Sequence, residues 1–557
     1  MSAARSAASR CVKLELEQEQ EQELELELEL GLGLEPERGL EPGLEPELEP
    51  ERPMSEGRRK VGMVLCLATI ILAVLDMNIV SAATVPIVRD LDPVHGLDRL
   101  PWLITAFALA ATALLPLYGK LCDVYGAKRV YLGAVSLFLL GSALCGAAGS
   151  MDQLIAFRAV QGIGGGGLMS ITMVVMAQLR EPGDEGGGGS IGGVIGGAGM
   201  AVGPLVGALL ADHLSWRWIF YVNLPLGLVV LVAAAVVLRL PRGDGRRGLD
   251  LPGAALAAAF ATGLLLVTEW GGKEHAWTSP LILTLGAGTL TALGLFIRRQ
   301  ATAAEPVMPL SMFRIPALRT GFALQGLVGM GLMGSVVYVM LYLQVARGIA
   351  ATSASLFLIP MAAGMTAVGL LVNRLAARGW SPRTFLAAGA GCSAVALILL
   401  GLSGPDTGLW VVRAELVLLG AGFGQLIGQL IGVVQQAAPA HQLGVATTGI
   451  RFFQTLGGAL GTALFGTVLA RVFQAAEPGT ALGSVGTLTG TARTHAVHAF
   501  TDAADVVFLS AGGLMLLALL LALRLRLRPA ASAPARVPVA GAAGGTGGTG
   551  RTAELSA

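Results

Sequence analysis

From residue 61 onward the chain is a succession of apolar runs about twenty residues long, separated by short stretches rich in Gly, Pro, Arg and Asp. A bilayer hydrocarbon core about 30 Å thick is crossed by roughly 20 helical residues. Scanned at that length, the pattern predicts spans at 61–83, 101–119, 131–150, 153–178, 190–211, 217–239, 251–269, 279–297, 319–343, 353–373, 384–403, 408–434, 444–470 and 505–523. The expectation is an all-α membrane protein with 14 transmembrane helices.

The distribution of Lys and Arg tests the count, because basic residues gather in cytoplasmic loops. With the N-terminus placed inside, the loops assigned to the cytoplasm hold twenty-one Lys and Arg and those assigned outside hold eight. One missed or invented span would invert every later loop and scramble this bias. Both termini are therefore expected in the cytoplasm, with the protein multi-pass in the cell membrane.

Composition agrees. The 557 residues are 54% hydrophobic and 13% charged, and the mean hydropathy is +0.69, too apolar for a soluble protein of this length. Five scattered cysteines contain no CxxC pair, so neither a disulfide framework nor a metal site is implied. The net charge of +1 hides an acidic segment: residues 1–53 hold 15 of the 37 acids, and the remainder carries +11. Cytoplasmic loops account for that excess without nucleic acid. The Glu-rich, Pro-interrupted stretch 13–53 cannot bury a core and reads as a disordered tail. It lacks the apolar region of a secretory signal, which leaves targeting to the first span.

Ionisable groups inside lipid are costly and mark function or a buried pairing. The two deep within spans are Asp76 in the first and Arg158 in the fourth. At 1.5 Å per residue they lie about 22 and 21 Å from the inner face, the same level. They are expected to face one another or share a water cavity, either as a carboxylate that carries a proton under the control of the arginine or as a permanent ion pair locking two helices. Glu269 and Glu415 sit near outer span ends, where side chains reach the interface, with Arg413 placed to neutralise Glu415. Asn78, Gln161, Gln425, Gln429 and Gln454 are candidates to line a cavity, with helix–helix hydrogen bonding an equal reading. Gly199, Gly203 and Gly207, with Pro204, form a close-approach stripe on a helix able to bend. No P-loop occurs, so a primary ATP-driven pump is not expected and any transport would be secondary, driven by a proton gradient with no cofactor expected. The glycine runs near 163–167 and 186–189 follow no strand and are not dinucleotide fingerprints. No H-E-x-x-H is present.

Several motifs resemble the major facilitator superfamily, specifically its fourteen-span drug:proton antiporters of the EmrB/QacA type. Gly119-Lys-Leu-Cys-Asp123-Val-Tyr-Gly126-Ala-Lys128-Arg129 resembles the loop whose acid and bases latch the inner gate. Arg158-Ala-Val-Gln161-Gly162 resembles the fourth-span motif linked to proton coupling, and Gly199-Met-Ala-Val-Gly203-Pro204-Leu-Val-Gly207 the antiporter motif. Leu75-Asp76-Met-Asn78-Ile-Val80, Trp216-Arg-Trp-Ile-Phe220-Tyr-Val-Asn223-Leu-Pro225 and Arg451-Phe-Phe453-Gln454 are also similar to this group. Two departures stand out: the stretch after Arg180 runs into acids and glycines instead of bases, and span 353–373 lacks the carboxylate that some members use for dications.

The resemblance implies a major facilitator fold with two six-helix bundles, 58–241 and 316–528. Two transmembrane helices within 242–315 lie between them, and tails cover 1–57 and 529–557. It implies a monomeric, non-enzymatic transporter that exports small organic molecules in exchange for protons by alternating access. A nutrient or siderophore transporter on the same scaffold is the nearest rival, and a membrane-embedded transferase or sensor the rival of another class.

Overall fold

The computed structural model describes residues 54–525 except 83, 93–95, 181–205, 207–208, 211–212, 242–247, 273, 350–352, 355, 377, 405–406, 481–484 and 486–487. The described chain is helical, with one isolated bridge, Gly271 to His275, as its only β-type pairing among the described residues. The first half comprises α1 (Glu56–Ala82), α2 (Thr84–Leu91), α3 (Gly96–Ala113), α4 (Leu115–Tyr125), α5 (Ala127–Gly146), α6 (Met151–Leu179), α7 (Trp218–Tyr221) and α8 (Asn223–Val237). Then come α9 (Leu251–Trp270) and α10 (Pro280–Thr302). The second half holds α11 (Pro316–Leu341), α12 (Leu358–Ala376), α13 (Pro382–Leu400), α14 (Leu409–Ala437), α15 (Leu443–Ala476) and α16 (Gly490–Arg524).

Twelve of these segments are long and apolar enough to cross a membrane, and α3 with α4 forms one more as a pair bent by 42°. Pro116 in the first turn of α4 explains the bend, because its ring removes a backbone donor and crowds the preceding turn. The fifth expected span, 190–211, lies largely outside the described residues, and with it Gly199, Gly203, Pro204 and Gly207. The last helix starts at Gly490, well before the expected 505. Its first turns are studded with Thr, His and Asp, so a hydropathy scan passes over them although they continue the same helix.

Local sequence sets the helix starts. Ser150, Asp250, Ser279 and Ser381 each accept a backbone N–H of their own first turn, and a proline follows Asp250, Ser279 and Ser381 where no donor is needed. The outward faces stay apolar: Val236 on α8 is 70% exposed and Leu290 on α10 is 69% exposed. Such surfaces suit a hydrocarbon solvent, not water.

With lipid outside, there is little hydrophobic drive between helices, and close packing of small residues takes its place. The glycines of α6 show how: a Cβ on Gly164 would collide with the amide of Phe138 on α5, and one on Gly166 with the carbonyl of Ala111 on α3. The second half repeats the device, with Gly420 of α14 against the Met361 carbonyl of α12 and Gly457 of α15 against Gly326 of α11.

Helices α1, α3, α5, α6 and α8 pack among themselves, as do α11 to α16; α4 meets α15, and α9 touches both α3 and α15. Away from α4, Asp90 ties α2 to the start of α7, accepting from Arg217 Nη1 at 2.6 Å and Trp216 Nε1 at 2.9 Å. The Arg217 bond, then that of Trp216, holds the Asp90 carboxyl below the usual carboxylate range.

The glycine packing yields a paired prediction. Gly164→Val overpacks the α5–α6 contact and is expected to destabilise by about 1–3 kcal/mol. Gly286→Ala on α10, where nothing lies within 4 Å of the added carbon, is expected to leave the thermal unfolding midpoint in detergent unchanged or slightly raised.

Candidate functional site

Five elements converge on one buried carboxylate. Asp76 of α1 and Arg158 of α6 are 0% and 2% exposed, and Arg158 Nη1 donates to Asp76 Oδ2 at 3.0 Å. The other oxygen, Oδ1, accepts from Gln161 Nε2 at 2.8 Å and from Asn223 Nδ2 of α8 at 2.7 Å. Both amides also reach the Ser142 hydroxyl of α5, at 3.1 and 3.0 Å. Ser142 in turn donates to the Phe220 carbonyl at 3.1 Å. Arg158 also donates from Nε to the Leu103 carbonyl at 3.1 Å and from Nη1 to Gln161 Oε1 at 2.8 Å. Its guanidinium carbon lies 4.3 Å from the centre of the Phe107 ring.

The geometry follows from the helices. Arg158 and Gln161 are three apart and share one face of α6, while the neighbouring glycines let α3 and α5 approach closely enough for Leu103 and Ser142 to reach them. Three N–H donors, one of them cationic, thus answer the two oxygens of the carboxylate.

A second site joins the two halves. Asp123, at the end of α4, accepts from the backbone N–H groups of Gly444 at 2.7 Å and Val445 at 3.0 Å. These are the first residues of α15, where free donors and the helix dipole favour an anion. The contact requires small residues on both sides: Gly119 lies against the α15 backbone, and a Cβ on Gly444 would meet the Asp123 carboxylate and the Gly119 carbonyl. Gly126, with φ of 86°, turns the chain sharply from α4 into α5. Lys120, 6% exposed, donates to Glu305 in the segment after α10 at 2.6 Å. That segment is anchored by the Met308 N–H donating to Gln300 Oε1 at 2.8 Å. Beside the latch is a cavity of about 370 Å³ whose lining includes Lys120, Glu305 and His441.

The other candidates fall elsewhere. Lys128 donates to the Ala235 carbonyl at 2.8 Å and Arg129 is exposed, so Lys120 is the base of this motif that reaches the segment between α10 and α11. Gln425 donates to the Ala421 carbonyl of its own helix at 3.2 Å. Gln429 is half-buried, and Gln454 accepts from Arg451 at 2.7 Å. Arg451 also reaches Met169 Sδ across the interface at 3.0 Å. The side chain of Asn78 is outside the description.

Glu415 departs from its expected place at the interface. It is 5% exposed and held by the Ser403 hydroxyl at 2.8 Å, while Arg413 stacks over Phe357 and Trp410 at 4.7 and 4.5 Å. Residues two apart on a helix point to different sides, so proximity in sequence did not make Arg413 a partner. Ser142, Asn223, Glu305 and Gly444 were not picked out by sequence reasoning. Asn223 stood in a recognised motif, whereas Glu305 in an unremarkable loop carried no signal.

Comparison with known proteins places this geometry. The sequence profile of the Major Facilitator Superfamily matches residues 65–462. Multidrug transporter protein MdtP of Bacillus subtilis is 31% identical over 400 residues, 71% of this chain and 72% of that one. The tetracenomycin C resistance and export protein of Streptomyces glaucescens is 30% identical over 405 residues, 72% of this chain and 74% of that one. The chain spans 60% of the length of MFS-type transporter Rv1877 of Mycobacterium tuberculosis, with 32% identity over 419 residues, 74% of this chain. In fold it is similar to the human organic anion transporter MFSD10, with a TM-score of 0.57 at 16% identity over 83% of this chain and 99% of that one. It is similar also to a double-Trp mutant of XylE, with a TM-score of 0.55 at 13% identity over 83% and 95%. The chain belongs to the Major Facilitator Superfamily.

Proposed function

We propose that the protein is a fourteen-span, proton-driven exporter of small organic molecules, working by alternating access between two six-helix bundles, 58–241 and 316–528. The observation that carries this reading is the isolation of Asp76, fully buried and answered by Arg158, Gln161 and Asn223. Breaking a buried pair by removing one partner costs about 3–5 kcal/mol. A proton on Asp76 removes the charge that Arg158 answers, so protonation and helix rearrangement are linked. The names of the two relatives from Bacillus and Streptomyces, a multidrug transporter and a resistance and export protein, support export of organic compounds.

In this reading Asp123 closes the cytoplasmic side, so the described conformation is shut inward. Glu305 and Lys120 add a strap from the inserted pair α9 and α10. Protons enter from outside, neutralise Asp76, and leave inward after the latch opens. Both termini are cytoplasmic, the chain works as a monomer, and no cofactor takes part.

Three outcomes test the reading. Everted vesicles carrying the wild type are expected to accumulate a fluorescent dye in their lumen when an acid-inside proton gradient is imposed, and Asp76→Asn to lose that dependence while still binding dye; equal gradient-driven accumulation in both defeats the coupling role. Arg158→Lys keeps the charge but not the planar fork, and is expected to shift the pH profile of efflux. Asp123→Asn forfeits charge-assisted bonds of about 1.5–3 kcal/mol, equivalent to roughly a 10- to 100-fold shift toward the state open on that side. Spin labels at Tyr125→Cys and His441→Cys, in a cysteine-free background, are expected to report the longer distance.

A further inference from the structure

The helices α11 to α16 contain a second buried acid that the Asp76 network does not use. Glu415 is 5% exposed. One oxygen, Oε1, lies 2.8 Å from Ser403 Oγ, and the other, Oε2, has no hydrogen-bond partner. An ionised carboxylate buried with one oxygen unanswered is among the costliest arrangements a protein can hold, and a neutral carboxyl group in the same place costs far less.

Ser403 suits both protonation states. Its single hydroxyl proton can go to Glu415 Oε1 or to the Leu399 carbonyl, 3.0 Å away. With Glu415 ionised, the hydroxyl donates to it. With Glu415 protonated, the carboxyl donates to Ser403 Oγ and the serine turns its proton to Leu399. The second arrangement leaves only a neutral carbonyl oxygen unpaired, and so satisfies the observed geometry better.

The surroundings set the charge balance. Tyr342, at the start of a π-turn covering Tyr342–Ala346, is within electrostatic reach of Glu415, of Asp505 on α16 and of the Arg347 guanidinium, which contacts its hydroxyl. Asp505 Oδ1 is also buried without a partner, and Asp502 adds like charge one turn earlier on α16. Arg347 donates to the Thr407 carbonyl at 2.6 Å. The cluster lies toward the start of α14, about 33 Å along that helix from the end nearest the Asp123 latch.

We propose that Glu415, held by Ser403, is a second proton-binding site, separate from Asp76 and at the opposite end of the protein from the latch. It loads and releases its proton as α13 and α14 move relative to each other, with Ser403 switching between donor and acceptor. Its proton binding stands independently of the transport mechanism; its share in coupling rests on the proposed export function.

Infrared difference spectroscopy on the full chain in lipid nanodiscs, titrated in H2O and D2O, tests the site directly. The wild type is expected to show a protonated-carboxyl carbonyl band that shifts in D2O and disappears at high pH. Glu415→Gln, a near-isosteric change checked for monodispersity, is expected to remove a component of that band, Ser403→Ala to shift its frequency, and Asp76→Asn to leave that component in place. Spectra of Glu415→Gln and Ser403→Ala that match the wild type at every pH overturn the proposal. In liposomes, Glu415→Gln is expected to halve the protons moved per dye molecule, and an unchanged ratio removes Glu415 from coupling. Gradient-driven transport that survives Asp76→Asn defeats the proposed export mechanism instead, and the Glu415 band reads out separately.

Discussion

The structure of the first half turns on the requirement that a charge inside an apolar bundle be fully answered. Asp76 meets it through Arg158, Gln161 and Asn223, and these draw Ser142, Leu103 and Phe107 into the same arrangement. Helices α1, α3, α5, α6 and α8 cannot slide independently without stranding a buried polar atom. A network satisfied this completely is stiff, and one proton on its central carboxylate changes which partners it needs.

Close backbone approach makes the network reachable. The glycines of α6 bring α3 and α5 near enough for Leu103 and Ser142 to reach Arg158 and Gln161, and Gly119 with Gly444 does the same for the Asp123 latch. At both sites small residues and polar residues act together: the first allow the approach, and the second fix one register among several that smooth packing would tolerate. The latch also draws in the segment after α10 through Glu305, so the inserted helices α9 and α10 reach the contact between the halves and are more than lipid-facing additions. Glu415 extends the same logic to the second half, where the buried acid is incompletely answered and protonation takes the place of a partner.

Much of this was legible in the linear chain. Apolar run length determined the helical, multi-pass class, because twenty-residue apolar segments have no stable alternative in water or lipid. Helical rise alone put Asp76 and Arg158 at one level, since both spans cross the same thickness, and the two side chains meet at 3.0 Å. The acid of the 119–129 motif was singled out by the resemblance of that loop to the superfamily's gating motif.

Tertiary structure alone decided the partners. The choice of Lys120 over Lys128 and Arg129 as the base that reaches the inserted segment depends on where the stretch after α10 comes to rest, 185 residues further along the chain. The burial of Glu415 depends on the turn at Ser403 folding back over α14, and no local pattern records that. The polar N-terminal turns of α16 escaped the hydropathy scan because helicity there continues beyond the apolar run. Sequence sets which residues must avoid lipid and how deep they lie, since these depend on one helix at a time. Which group answers which depends on the rotation and approach of several helices at once, and that is settled only when their glycine faces lock together.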